Sequence, residues 1–223
     1  MESTGSTSII QVPHRLLPLI IDDMTASTMP ASPQVPRRYT RRGVLPDAVM
    51  GMLFFVACEL MFFAALISAM FVVRGSAREW PPIDQPRLPL LTTAGNTVIL
   101  LASGVMLWLA ARALRSSASP QITSKWLRWS MWLGTLFVAI QGMEWVRLIK
   151  YGLTMQSSSY GSFFYLIIGA HAAHAVIALG LLAHVYHSFA SGSLRLSRFW
   201  AAQVFWYFVV GLWPFLYGLV YLL

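Results

Sequence analysis

Three groups of side chains in this sequence have types and spacings that could do chemistry. The first is Glu59, alone in CELMFFAALISAMF, residues 58–71, where only Cys58 and Ser68 interrupt the apolar residues around it. A bare carboxylate in hydrocarbon costs several kcal/mol, so such a group is protonated, paired, or turned toward protein or water. It serves either as a neutral acid that joins two helices or as a group that handles protons. The second group is His171 and His174 in GAHAAHAVIALG, three residues apart and therefore on one side of a helix. A His-x-x-His pair can ligate a metal, but two imidazoles alone complete no site, and the carboxylate companions of di-iron bundles are missing from the pattern. No metal is therefore assigned, and hydrogen bonding between helices is the expected role. The small residues Gly169, Ala170, Ala172, Ala173 and Ala175 allow a neighbouring helix to come close. That neighbour is expected to carry Glu59 at matching depth, with His171 or His174 as its hydrogen-bond partner.

The third group is polar and more ordinary. In QGMEWVRLIK, Gln141 and Glu144 share a face, and Arg147 follows Glu144 by three residues, so that charge can pair or snorkel. Asn96, with Thr97 and Ser103, supplies polar contacts between helices. His184 and His187 lie roughly 20 Å further along their helix than the first histidine pair and cannot join it. A single cysteine, Cys58, excludes an internal disulfide and any multi-cysteine cluster. No nucleophile elbow, phosphate-cradling loop or haem-type ligand array is present in the sequence.

The elements that must position these groups are read from the hydropathy pattern. Hydrophobic residues make up 57% and charged residues 11% of the 223, too little charge to cover a soluble domain of this length. Five apolar runs are long enough to cross about 30 Å of hydrocarbon. They are Leu45–Val73, Leu88–Leu114, Trp126–Val146, Gly161–Phe189 and Phe199–Leu223. The connecting stretches carry prolines, charges or serines, as in RGSAREWPPIDQPR and RSSASPQITSK. The expected fold is therefore all-α, an integral membrane bundle of five transmembrane helices spanning residues 44–223. Within the first run Glu59 falls near the bilayer midplane, and the two histidines fall near it in the fourth.

The net charge of +8 is distributed in short clusters between apolar runs, the pattern of membrane topology and not of a face that binds nucleic acid. Arg37, Arg38, Arg41 and Arg42 precede the first run, and Arg112, Arg115, Lys125 and Arg128 separate the second from the third. With Arg195 and Arg198 before the fifth, these place the N-terminus in the cytoplasm and the C-terminus outside. Residues 1–43 differ in kind. They are rich in Ser, Thr and Pro without a long apolar core, and read as a polar extension, with Leu16–Ile21 as a candidate interfacial anchor.

At these motifs the chain resembles subunit III of the haem–copper terminal oxidases, the cytochrome c and quinol oxidase family, from about Gly51 onward. CELMFFAALISA is similar to the family's helix with an acid before two phenylalanines, here Glu59, Phe62 and Phe63. WPP at Trp80–Pro82, NTVILLASGV from Asn96 to Val105, and QGMEW around Gln141 and Glu144 resemble further family stretches in the same order. YGSFFYLIIGAHAAHAVIALG is similar to its histidine-pair helix, and FWYFVVGLWPFLY to its last helix. Tyr207 and Val210 stand where the family usually has His and Asp, and Ala111–Arg112 where a histidine pair is common.

The resemblance implies the short five-helix form of the subunit, in the plasma (inner) membrane of a bacterium. It implies a non-catalytic subunit of an oxidase in aerobic respiration, with haem and copper held by partner subunits and none by this chain. Subunit I, which reduces O2 and pumps protons, is the expected main partner, with subunit II, a small subunit IV and phospholipid alongside. Glu59 matches the family's intramembrane acid, and the subunit's implied role is to stabilise subunit I, hold lipid and support proton uptake. Two other functions fit the residues: an accessory protein of nitric oxide reductase, and a stand-alone proton-coupled transporter using Glu59 with one histidine. A membrane metalloenzyme would require bound metal that depends on His171.

Overall fold

The structure is a computed structural model and describes residues 46–80, 82, 90–116 and 119–222. Five long helices account for most of them: α1 (Asp47–Ser76), α2 (Leu90–Arg115), α3 (Pro120–Lys150), α4 (Ser159–Ala190) and α5 (Leu196–Leu216). A short π-helix, Tyr217–Leu222, continues α5, and no strand occurs among the described residues. The extension 1–43 and the candidate anchor within it lie outside the described residues.

Local chemistry accounts for the helix ends. Pro46 precedes α1 and Asp47 opens it, a fixed φ and an acidic side chain suited to the positive end of the helix dipole. Pro120 occupies the first turn of α3, and Ser158 caps α4 by accepting a hydrogen bond from the Gly161 amide at 3.0 Å. Helices α3 and α4 close the same way. Gly152 and Gly192 take φ of 88° and 69°, and the following amides, of Leu153 and Ser193, reach back to the Leu148 and Ser188 carbonyls. That is the Schellman arrangement, and it needs the left-handed backbone that glycine adopts without strain.

Four of the five helices are long and apolar enough to cross a membrane by length and composition. The exception is α3, expected over Trp126–Val146 but helical from Pro120 to Lys150. Its apolar core is diluted by Trp129, Trp132, Gln141, Glu144 and Trp145, and its buried stripe includes Thr123, Ser130, Gln141 and Glu144. Ser130 and Gln141 are bonded to the neighbouring α2, so part of the low hydropathy reflects internal packing, while Trp129 and Trp132 face outward. Its polar ends simply continue the helix beyond the hydrocarbon stretch, at about 1.5 Å per residue.

Helix α2 packs chiefly on α3, which follows it after four residues, so the two run antiparallel. Helix α5 is the centre of the bundle, touching α1, α2 and α4, and half of its most apolar stretch is buried. Trp206 and Trp213 of α5 are fully enclosed. Gly134 of α3 makes room for Trp206: a Cβ there would lie 2.6 Å from the indole. Helix α1 sits at the margin, against α5 and α4, with only 11% of its central stretch buried. Its outward Phe54, Met61 and Val72 suit lipid or another apolar surface. Pro214 lies inside α5 and cannot donate a backbone hydrogen bond, and the chain passes into the π-helix three residues later.

Candidate functional site

Helices α1 and α4 meet at the pair the chemistry of the sequence made most conspicuous. Glu59 Oε2 lies 2.9 Å from His174 Nε2, with the two side chains 19% and 14% exposed. The other ring nitrogen, Nδ1, is 2.7 Å from the Ala170 carbonyl oxygen one turn back on α4. A carbonyl only accepts, so Nδ1 carries a hydrogen and donates it. Nε2 is then either the acceptor for a protonated Glu59 or, itself protonated, the donor to a carboxylate. Both arrangements share one proton between two atoms and leave the pair with no net charge. That is how an acid persists in this helix without the cost of a bare ion in hydrocarbon.

Aromatic rings surround the His174 side of the pair. Phe63 lies 5.5 Å from the His174 ring, and Phe205 and Phe208 of α5 each lie 6.1 Å from it. Phe63 is 1% exposed and its neighbour Phe62 is largely outward, so the two phenylalanines after Glu59 divide between wall and surface. The rings offer no competing donor or acceptor, which strengthens the single polar contact they surround.

His171 goes elsewhere. Three residues of α-helix turn the side chain by about 300°, leaving a 60° offset that is enough to change neighbours. The ring, 1% exposed, lies 5.0 Å from that of Trp213 and 6.4 Å from that of Phe137, toward α5 and α3. Of the two histidines expected as alternatives, His174 contacts Glu59 and His171 does not. Among the described residues no cluster of three or more His, Cys, Asp or Glu suited to a metal occurs. His184 and His187 are exposed near the end of α4.

The remaining polar residues form a ladder through the bundle. Asn96 Nδ2 donates to the Phe137 carbonyl at 3.1 Å and to Gln141 Oε1 at 3.3 Å. Gln141 Nε2 in turn donates to the Tyr221 hydroxyl at 3.0 Å, tying the π-helix to α3. Trp213 donates to Thr97 at 2.9 Å and Trp206 to Ser103 at 3.2 Å, while Ser103 donates to the Ser130 carbonyl at 2.9 Å. Glu144, only 4% exposed, accepts from the exposed Arg147 at 3.1 Å, the pairing its spacing suggested. Sequence reasoning passed over Trp206, Trp213 and Tyr221. Their signal was present as a polar atom on a large aromatic in a run too apolar to satisfy it locally.

Comparison with known proteins agrees in extent with the helical bundle. The family model described as cytochrome c oxidase subunit III matches residues 40–223. Cytochrome c oxidase subunit 3 of Synechocystis is 33% identical over 183 residues, covering 80% of this chain and 77% of the relative. The probable cytochrome c oxidase subunit 3 of Nocardia farcinica is 31% identical over 181 residues, covering 77% and 86%. Cytochrome c oxidase subunit 3 of Bacillus subtilis is 27% identical over 206 residues, covering 91% and 96%.

Proposed function

This chain belongs to the cytochrome c oxidase subunit III family, and from that premise we propose that it is the non-catalytic third subunit of a respiratory oxidase. It lies in the plasma membrane of a bacterium with its N-terminus on the cytoplasmic side. Its main partner is subunit I, which with subunit II holds the haem and copper and reduces O2 with electrons from cytochrome c. The chain stabilises that partner, retains phospholipid at their junction and helps sustain proton uptake.

The observation that carries this reading is the Glu59–His174 contact at 2.9 Å, two ionisable groups meeting beside aromatic rings. A purely structural link between helices needs only a donor and an acceptor, which an amide or hydroxyl supplies at lower desolvation cost. A carboxyl with an imidazole adds the ability to pass a proton from one group to the other without changing the net charge of the pair. The outward apolar face of α1 is suited to a neighbouring subunit or to acyl chains.

The test is affinity purification of this chain in mild detergent, with reduced-minus-oxidised spectra and identification of the co-purifying proteins. Haem absorbance together with a large many-span partner supports the reading, and the haem type distinguishes an oxidase from a nitric oxide reductase. A colourless preparation without a partner overturns it.

A further inference from the structure

Four buried side-chain atoms among the described residues have no protein hydrogen-bond partner: His171 Nδ1, His171 Nε2, Trp145 Nε1 and Asn96 Oδ1. Their placement is not scattered. His171 and Trp145 both line one cavity of about 150 Å³ between α3 and α4, with Phe137, Gln141, Gly142 and Trp213 among its other walls. Asn96 adjoins it from α2, bonded to Phe137 and Gln141. We propose that this cavity is a binding site for a small cluster of ordered water molecules, anchored by His171 and Trp145.

The chemistry of the unmet atoms selects the ligand. A neutral imidazole offers one donor and one acceptor, the indole offers a donor, and the amide oxygen an acceptor. The occupant must therefore both donate and accept hydrogen bonds. A cation is disfavoured because no carboxylate lines the cavity, and an anion because no Lys or Arg does. An acyl chain fits the apolar walls but satisfies none of the four atoms. Water can both donate to and accept from His171 and accept from Trp145, the unmet residues that line the cavity, and 150 Å³ is room for several molecules. Buried polar groups left unmet are rare in folded proteins, and internal water is the usual remedy. The cluster would hold the His171 ring between Phe137 and Trp213 and extend the Asn96–Gln141–Tyr221 line of hydrogen bonds. It is independent of the Glu59–His174 pair, which faces other neighbours.

The experiment is a high-resolution cryo-electron microscopy map of the intact complex in lipid nanodiscs. Discrete peaks within hydrogen-bond distance of a His171 ring nitrogen and of Trp145 Nε1 are expected. Elongated acyl-chain density, a partner side chain filling the cavity, or no density there overturns the proposal. His171→Leu and the milder Trp145→Phe supply the second readout, by infrared difference spectra of internal water in ordinary and ¹⁸O-labelled buffer. Both variants are expected to lose water O–H bands and to release the chain from the heated complex sooner than wild type. Removing an unpaired imidazole from a dry cavity would instead stabilise the chain and leave those bands unchanged, and that result would refute a hydrated site.

Discussion

Cutting the contact between Glu59 and His174 from either side should cost unequal amounts, because the two side chains are held unequally. His174 keeps its Nδ1 hydrogen bond to the Ala170 carbonyl when Glu59 is replaced by Leu, so only Nε2 loses its partner. In His174→Leu the carboxyl loses its neighbouring imidazole, the one polar contact its side chain makes among the described residues, and is left beside the rings that surrounded that imidazole. Hydrogen bonds between membrane helices average about 0.6 kcal/mol and reach about 1.7. A contact of 2.9 Å between two ionisable groups, less than a fifth exposed, belongs at the upper end. The coupling in a double-mutant cycle is therefore expected near 1.5 kcal/mol, about tenfold in the unfolding equilibrium. His174→Leu should cost about 1–3 kcal/mol, the penalty for a buried polar group without a partner, and Glu59→Leu less. The double replacement should be milder than the sum of the two, since neither polar group remains. Titration of the full-length chain from mild detergent into dodecyl sulfate, followed by the fluorescence of its tryptophans, measures all four proteins. A coupling within about 0.3 kcal/mol of zero, the scatter of independent sites, would refute the reasoning. So would a greater loss in Glu59→Leu than in His174→Leu.

Two further outcomes follow from packing and from the polar ladder. Gly134→Ala places a Cβ 2.6 Å from the Trp206 indole and 2.9 Å from a Leu179 methyl. A net loss of about 1–3 kcal/mol is expected in the same titration, despite the roughly 1 kcal/mol that Ala gains over Gly in a helix. Gln141→Leu removes one partner each of Asn96 and the Tyr221 hydroxyl. It should cost about 1–3 kcal/mol and speed amide exchange over Tyr217–Leu222, while exchange in α1 stays unchanged.

Much of the bundle was readable because its strongest signal, long apolar runs broken by proline and charge, is local. The runs Leu45–Val73 and Gly161–Phe189 fall within a few residues of α1 and α4. Helix α3 was drawn too short because Thr123 and Lys150 look like loop chemistry in a hydropathy profile, although both continue the helix. The choice between His171 and His174 was not readable. It turns on a 60° rotation about α4 and on which helices lie to either side, information that belongs to the tertiary structure. Trp213 donates to, and Tyr221 accepts from, a partner 116 and 80 residues away respectively, on α2 and α3. Spacing along the chain carries no trace of such partners. The acid itself was conspicuous because a carboxylate amid apolar residues is costly wherever it goes. The structure adds how that cost is met, by one imidazole whose other nitrogen is already committed.

The central claim is that the Glu59–His174 pair works by moving a proton and not merely by joining two helices. The oxidase complex carrying Glu59→Gln isolates that difference, because the amide can still donate to His174 Nε2 while the exchangeable acid is gone. The measurement is oxygen consumption by that complex across the pH range, with the rate of inactivation during turnover followed alongside. An intact complex that loses activity at alkaline pH or inactivates several-fold faster than wild type is the predicted result. An activity–pH profile and inactivation rate identical to wild type would contradict the claim and leave the pair as a link between α1 and α4.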